Sequence, residues 1–240
     1  MSTKTKFEIC NLDIQTVKKN IKNMYLGVYP PNGRIRVAAP LKTSDEVIRL
    51  FVISKLSWIK KQHSKFVRQQ RQTKREYVSG ESHYFLGNRY RLNVVPINGL
   101  PKVEIRRKTH MDLYTRPNTS TKKREEILSN FYRSQLKKQI PSLVHKWEKI
   151  TGVKVCQINI KKMKTKWGTS NPEYNRIWLN LELAKNNISC TEYVLAHEMT
   201  HFLEKNHSEK FYELMNAFLP QWQKYRDELN NSELGYFKWN

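Results

Sequence analysis

The sequence predicts an α+β protein: a β-rich N-terminal half with one basic helix, followed by a half in which helices surround a small sheet. Three observations carry that prediction. Apolar residues alternate with polar ones in short runs through most of the first 116 residues. An apolar stripe of helical period fills residues 121–150. A strand-like run, Arg176–Ala184, then precedes a second helical segment around Tyr193–His201.

The elements follow in order. The first 40 residues read as short strands. Met24, Leu26 and Val28 alternate with Tyr25, Gly27 and Tyr29, the turn Pro30-Pro31-Asn32-Gly33 follows, and Arg34–Val37 alternates again, a hairpin that Pro40 closes. Thr43-Ser44-Asp45-Glu46 starts a helix, because a hydroxyl caps free N–H groups and acids favour the positive end of the dipole. That helix is expected to reach about residue 70, with Val47, Phe51 and Trp58 near one face and Ile48, Val52, Leu56 and Ile59 beside them. Residues 77–116 return to strands. Gly87-Asn88 is the turn between His83–Leu86 and Arg89–Val95, and Lys102–Lys108 pairs with His110–Arg116. Pro117-Asn118-Thr119-Ser120 is the best internal boundary, dividing a region 1–118 from a region 119–240.

The helix over 121–150 takes its apolar positions from Ile127, Phe131, Leu136, Ile140, Leu143 and Trp147. Pro141 is expected to kink or divide it, and Gly152 ends it. Val153–Ile160 and Arg176–Ala184 are strands joined by the connection Lys161–Tyr174. In the second strand Ile177, Leu179, Leu181 and Leu183 share one face, opposite Trp178, Asn180 and Glu182.

Composition narrows the function. The chain has 240 residues, 11% aromatic and 38% hydrophobic, which excludes a wholly disordered polymer. No apolar run approaches the roughly 20 residues that span a bilayer, and MSTKTKFEIC lacks a signal-peptide core, so the expected location is the cytoplasm, without membrane association. Cys10, Cys156 and Cys190 are too few and too scattered for a disulfide framework. Cys156 and Cys190 read as small buried hydrophobes. The net charge of +23 is concentrated in the first half. No acid lies between Val47 and Arg75, where Lys60, Lys61, Lys65, Arg68 and Arg71 make a candidate nucleic-acid surface.

The sharpest motif is His197-Glu198-Met199-Thr200-His201. Four helical residues advance about 400°, so the two imidazoles project from one face a turn apart and can share a tetrahedral metal such as zinc. Glu198 lies about 100° around the helix, within reach of a metal-bound water. Ser189 and Glu192 are spaced as a capping box before this helix. The third ligand is His207, returned by a turn at Lys205-Asn206, with Glu209 or Glu213 as the alternative. Three protein ligands leave a fourth position for water, which suits catalysis. Glu198 would then be the general base that activates this water and returns the proton to the leaving amine.

These residues resemble the YgjP-like metal-dependent hydrolases (the DUF45 group) within the wider SprT-like and WLM zinc peptidases. The likeness rests on Lys164-Thr165-Lys166-Trp167-Gly168-Thr169-Ser170, Ile177-Trp178-Leu179-Asn180 and Tyr193–His201 continuing to Asn206-His207-Ser208. Pro220-Gln221-Trp222, Arg226, Tyr77–Gly80 and Leu86-Gly87 extend it over nearly the whole chain. The resemblance implies one Zn2+ on His197, His201 and His207, Glu198 as base, and a minimal zincin-like core in which a small sheet packs on the HExxH helix. It also implies that the strand near Trp178–Leu183 aligns an extended peptide. The chain departs from the family where Thr169-Ser170 replaces Ser-Cys, so no role for that cysteine carries over.

Around this centre Trp167, Asn180 and Arg226 are candidate substrate or transition-state contacts, and Lys164 and Lys166 candidate oxyanion partners. Three functions compete: a zinc peptidase acting on proteins or peptides, with nucleic-acid-associated proteins as one substrate class; a metal-dependent nucleotide phosphohydrolase; and a nucleic-acid-binding module with a non-catalytic metal. The oligomeric state is not legible.

Overall fold

The computed structural model describes residues 4–29, 33–68, 75–163 and 166–232. The described residues form two compact units, 4–68 and 75–232.

In the first unit, β1 (Lys4–Ile9), β2 (Leu12–Lys19), β3 (Tyr25–Tyr29) and β4 (Arg34–Pro40) build one sheet in the order β1-β2-β4-β3. Cys10 and Asn11, both at positive φ, make the two-residue turn between β1 and β2. β3 and β4 pair antiparallel as the alternation predicts, and their turn Pro30–Asn32 lies outside the described residues. Ile14, Ile35 and Val37 on one sheet face pack with Ile48, Val52 and Ile59 of the helices.

The predicted single helix is two, α1 (Asp45–Ser54) and α2 (Leu56–Arg68). Ser44 caps α1 through the Val47 N–H. The break falls at Lys55, whose N–H bonds back to Val52 in a tightened last turn. Ile48, Val52 and Ile59 point inward, whereas Val47 and Trp58 stay about half exposed (47% and 44%) and do not belong to the core. Lys60 and Lys61 are exposed on α2; the side chains of Lys65 and Arg68, and all of Arg71, lie outside the described residues.

The second unit begins with β5 (Ser82–Phe85), β6 (Asn88–Pro96), β7 (Lys102–Arg106) and β8 (His110–Thr115), in the order β5-β6-β8-β7. The β5–β6 turn is Leu86-Gly87, one residue earlier than expected, with both residues at positive φ. The unit continues with α3 (Thr121–Thr151), β9 (Gln157–Lys161), β10 (Gly168–Asn171), β11 (Arg176–Asn180), α4 (Ile188–Thr200), α5 (Glu209–Phe218) and α6 (Trp222–Asn231). Ser120 caps α3, Gly152 at φ 72° closes it, and the helix is not divided at Pro141, because Leu136, Ile140 and Trp147 keep its buried stripe packed on both sides.

The division of the chain differs from the predicted boundary at residue 118. Residues 82–115 share one apolar core with α3 and α4, through Phe85, Leu92, Met111 and Leu113 against Leu128, Tyr132, Leu136 and Leu195. The backbone N–H groups of Leu86 and Gly87 also donate to Ala184 and Lys185. A polar, turn-rich linker at 117–120 is therefore an internal loop of one unit.

β10, β11 and β9 form a three-stranded sheet with β11 in the middle. This corrects two expectations. The connection Lys161–Tyr174 contains a strand, β10, antiparallel to β11. Second, β11 stops at Asn180, and Leu181–Lys185 is a 3₁₀ turn. Leu181, Glu182, Leu183 and Ala184 are all buried, which a one-faced strand does not allow. Because β11 is flanked on both sides, it has no free edge to align a peptide. Among the described residues the sheet's edges are β10 and β9, and of these β10 lines the cleft described below.

Candidate metal centre

α4 presents the motif. Its N-cap is Asn187, whose side chain accepts from the Ser189 N–H, so Ser189 and Glu192 do not form the predicted capping box. Glu192 instead accepts from Lys146 Nζ and Trp147 Nε1 and ties α4 to α3. Leu195, Ala196 and Met199 bury one side of α4 completely, and Val194 nearly so. His197 and Glu198 then emerge toward a cleft of about 530 Å³ lined also by Lys166–Ser170, Tyr193, His201, Lys205, His207 and Arg226.

The helix ends at Thr200 and the chain reverses through tight turns, with the N–H groups of Leu203 and Glu204 both donating to Thr200 O. No residue of this reversal has positive φ, so the left-handed Asn206 expected from sequence is not used. Ser208 caps α5, and Thr200 Oγ1 donates to Ala196 O and to Met215 Sδ, locking α5 against α4. His207 is thereby carried back to the helix. Phe211, 1% exposed, lies under all three imidazoles, with centroids 5.0, 4.7 and 4.8 Å from His197, His201 and His207.

The donor atoms fit one small ion. His197 Nε2 and His207 Nε2 are 3.1 Å apart, and one nitrogen from each of the three histidines lies within 4.8 Å of the others. Tetrahedral bonds of about 2.0–2.1 Å separate imidazole nitrogens by about 3.3 Å, so only a small movement of His201 completes the cage. His201 Nδ1 is engaged with Glu204 O at 3.1 Å, which leaves Nε2 for a metal. Burial lowers His197 to about 3 and lowers His201 as well, keeping both in the neutral form that ligates. Glu209 and Glu213, the alternative third ligands, are not part of this group.

Glu198 is held by β10. Ser170 Oγ donates to its Oε2 at 2.8 Å. Gly168 faces Oε1 so closely that an added Cβ would meet it at 2.8 Å and Val194 Cγ1 at 2.8 Å. Burial pushes the Glu198 carboxyl up to about 7, against the Ser170 hydrogen bond and the Lys166 charge, which act downward. Gly168→Ala is accordingly expected to destabilise by about 1–3 kcal/mol and to shift Glu198. Thermal melting would report the first effect, and a kcat reduced about tenfold to hundredfold with KM little changed would report the second.

The other predicted site residues separate. Trp167 and Arg226 line the cleft, and Arg226 lies over the Trp222 ring at 5.0 Å. Asn180 does not line it. It is buried, accepts from the N–H groups of Met163 and Glu182, and donates to Met163 O and Lys166 O, pinning the segment that leads into β10. Lys166 lines the cleft with an exposed side chain, and Lys164 lies outside the described residues. Cys190 is buried, but Cys156 is exposed because β9 starts only after it. Sequence reasoning missed Ser170 as the partner of Glu198, and did not single out Tyr193, one turn before His197 on the cleft wall.

A helix bearing two histidines and a glutamate against a small sheet, with a third histidine returned by the following turn, defines a zincin-like metallohydrolase core. The chain belongs to the YgjP-like family, whose metallopeptidase domain matches residues 22–232. In general terms it is therefore a metal-dependent peptidase. Among solved structures, the metallopeptidase zymogen abylysin of Pyrococcus abyssi is similar at 19% identity, covering 38% of this chain and 90% of that one with a TM-score of 0.35. No curated protein matches the chain. Among the described residues no helix is long and apolar enough to cross a membrane.

Proposed function

We propose that the chain is a zinc-dependent peptidase in which Glu198 is the general base, acting on polypeptides that include nucleic-acid-associated proteins. One observation carries the reading: three imidazoles converge beside a buried carboxylate whose second oxygen is already occupied. Such an ion, held by His197, His201 and His207, supplies Lewis acidity toward a carbonyl and toward water. The chain's own residues do the rest. Ser170 fixes Oε2 of Glu198, so Oε1 is the atom that takes a proton from the attacking water and hands it to the leaving amine. The free edge of β10 offers backbone groups to an extended peptide beside that carboxylate. Arg226 and Lys166 supply positive charge at the cleft rim where an oxyanion develops. The exposed Lys60 and Lys61 of α2 draw the protein to polyanions.

The same cationic rim favours a second reading, hydrolysis of nucleoside triphosphates. One assay compares the two. Chelator-treated and Zn2+-restored protein is incubated with unfolded casein, with and without DNA, and in parallel with nucleoside triphosphates. Cleavage of casein that disappears on chelation and returns with Zn2+ supports the peptidase. Metal-dependent phosphate or pyrophosphate release without casein cleavage would replace it.

A further inference from the structure

The helices of the first unit pack on one face of its sheet, and on the other face Val17 is buried while the tyrosines of β3 stay exposed. Ile14, Ile35 and Val37 point to the helix face and into the core. By alternation their neighbours point the other way. The register then sets out the second face: Tyr25 pairs with Ala38, Gly27 with Arg36 and Tyr29 with Arg34 across β3 and β4. Gln15 lies beside Arg36, and Lys6 beside Gln15. Glu8 and Asp13 pair at one corner of this face, next to Arg34. Tyr25 is 60% exposed and Tyr29 42%, although both stand on a sheet rather than a loop.

Tyr29 has an unusual posture. A Cβ built on Gly27 would stand 2.6 Å from three atoms of the Tyr29 side chain, two of them in the ring. The ring therefore folds back over the bare glycine backbone, and the side chain stays 42% exposed. A ring in that position gains little burial, and a side chain at residue 27 would displace it. Exposed tyrosines, arginines between them, and a unit with 14 basic and four acidic residues among its first 70 make a cationic surface with flat stacking platforms. Tyr25 and Tyr29 are four residues apart on one strand, about 13 Å, which spans an extended strand of about two nucleotides.

We infer that this sheet face binds a single-stranded polynucleotide, with bases stacked on Tyr29 and Tyr25 and phosphates against Arg34, Arg36 and Lys6. Duplex bases are already stacked on each other and cannot use the rings, so the surface selects unpaired strands. The inference stands apart from the peptidase reading. It also differs from the polyanion attraction assigned to Lys60 and Lys61, which belong to α2 on the covered side of the sheet.

The test is fluorescence anisotropy of labelled dT15 with the full chain, against a duplex of equal length, at several salt concentrations. Single-strand binding tighter than duplex binding is expected. Tyr29→Ala should weaken dT15 by about tenfold and Tyr29→Phe should restore it, as stacking needs the ring and not the hydroxyl. Gly27→Ala should weaken binding as well, by lifting the ring. Arg34→Gln with Arg36→Gln should flatten the log–log salt slope by about 1.4, at about 0.7 per phosphate contact. Circular dichroism melting of each variant shows whether the sheet is intact, and casein cleavage, measured separately, tells failure of this site from failure of the peptidase reading. Binding of dT15 within twofold of wild type by a folded Tyr25→Ala/Tyr29→Ala variant would overturn the inference. So would equal duplex binding lost only with Lys60→Gln/Lys61→Gln, or polyglutamate binding with the same dependence on tyrosine.

Discussion

Glu198→Gln is expected to lower kcat for peptide hydrolysis by about 10²–10⁴-fold while leaving metal binding unchanged, the range a positioned general base contributes. The substitution is nearly isosteric. A glutamine oxygen can still accept from Ser170 Oγ, so the side chain keeps its place against β10. What it loses is the ability to take a proton at Oε1. The histidine cage does not include Glu198, so metal affinity measured by calorimetry should stay within about twofold of wild type. Parallel casein assays and metal titrations check both halves. Retained cleavage in the variant would remove Glu198 from the role of base, and lost metal would instead make it part of the cage.

His207→Ala is expected to abolish metal retention. Outer-shell partners of a metal are worth about 10–100-fold in affinity, and a direct ligand should cost more than that. The wild type should gain about 4 kcal/mol of stability when Zn2+ is present at 1,000 times its Kd, seen as a raised melting temperature. The variant should show almost none of this gain. Its metal-free stability should be close to wild type, because His207 is exposed and the site rests mainly on Phe211 and α4. Glu209→Gln and Glu213→Gln should bind metal normally. If either carboxylate variant lost the metal while His207→Ala kept it, the third ligand would be a carboxylate.

Much of this site was legible because it is local. Two histidines four residues apart on a helix must share a face, whatever the rest of the fold does. The helix start at Ser44 and the helix stop at Gly152 were legible for the same reason. The errors arose where a choice between local structures was settled by distant partners. Ser189 and Glu192 satisfy a capping pattern, yet Lys146 and Trp147 on α3 claim Glu192, and Asn187 takes the cap. Residues 181–184 continue an alternating pattern, yet they are buried on all sides beneath β5 and α3, so the chain coils there. A turn-rich stretch at 117–120 looks like a domain boundary, but the apolar faces on either side of it have only each other to cover them.

By itself the sequence determined the chemistry available at the centre: three histidines, His197, His201 and His207, that could share a metal, the carboxylate Glu198, and the basic excess of the first half. Only the tertiary structure decided how that chemistry is aimed. The turn after Thr200 brings His207 Nε2 to 3.1 Å from His197, and β10 sets Ser170 and Gly168 against the two oxygens of Glu198. It also decided that Asn180 anchors a segment rather than lining the cleft, and that Tyr29 lies over Gly27 on the sheet face opposite the helices. The reason is physical: helical spacing is fixed by the backbone within a few residues, whereas a hydrogen bond or a close approach between residues far apart in sequence exists only after packing has placed both partners.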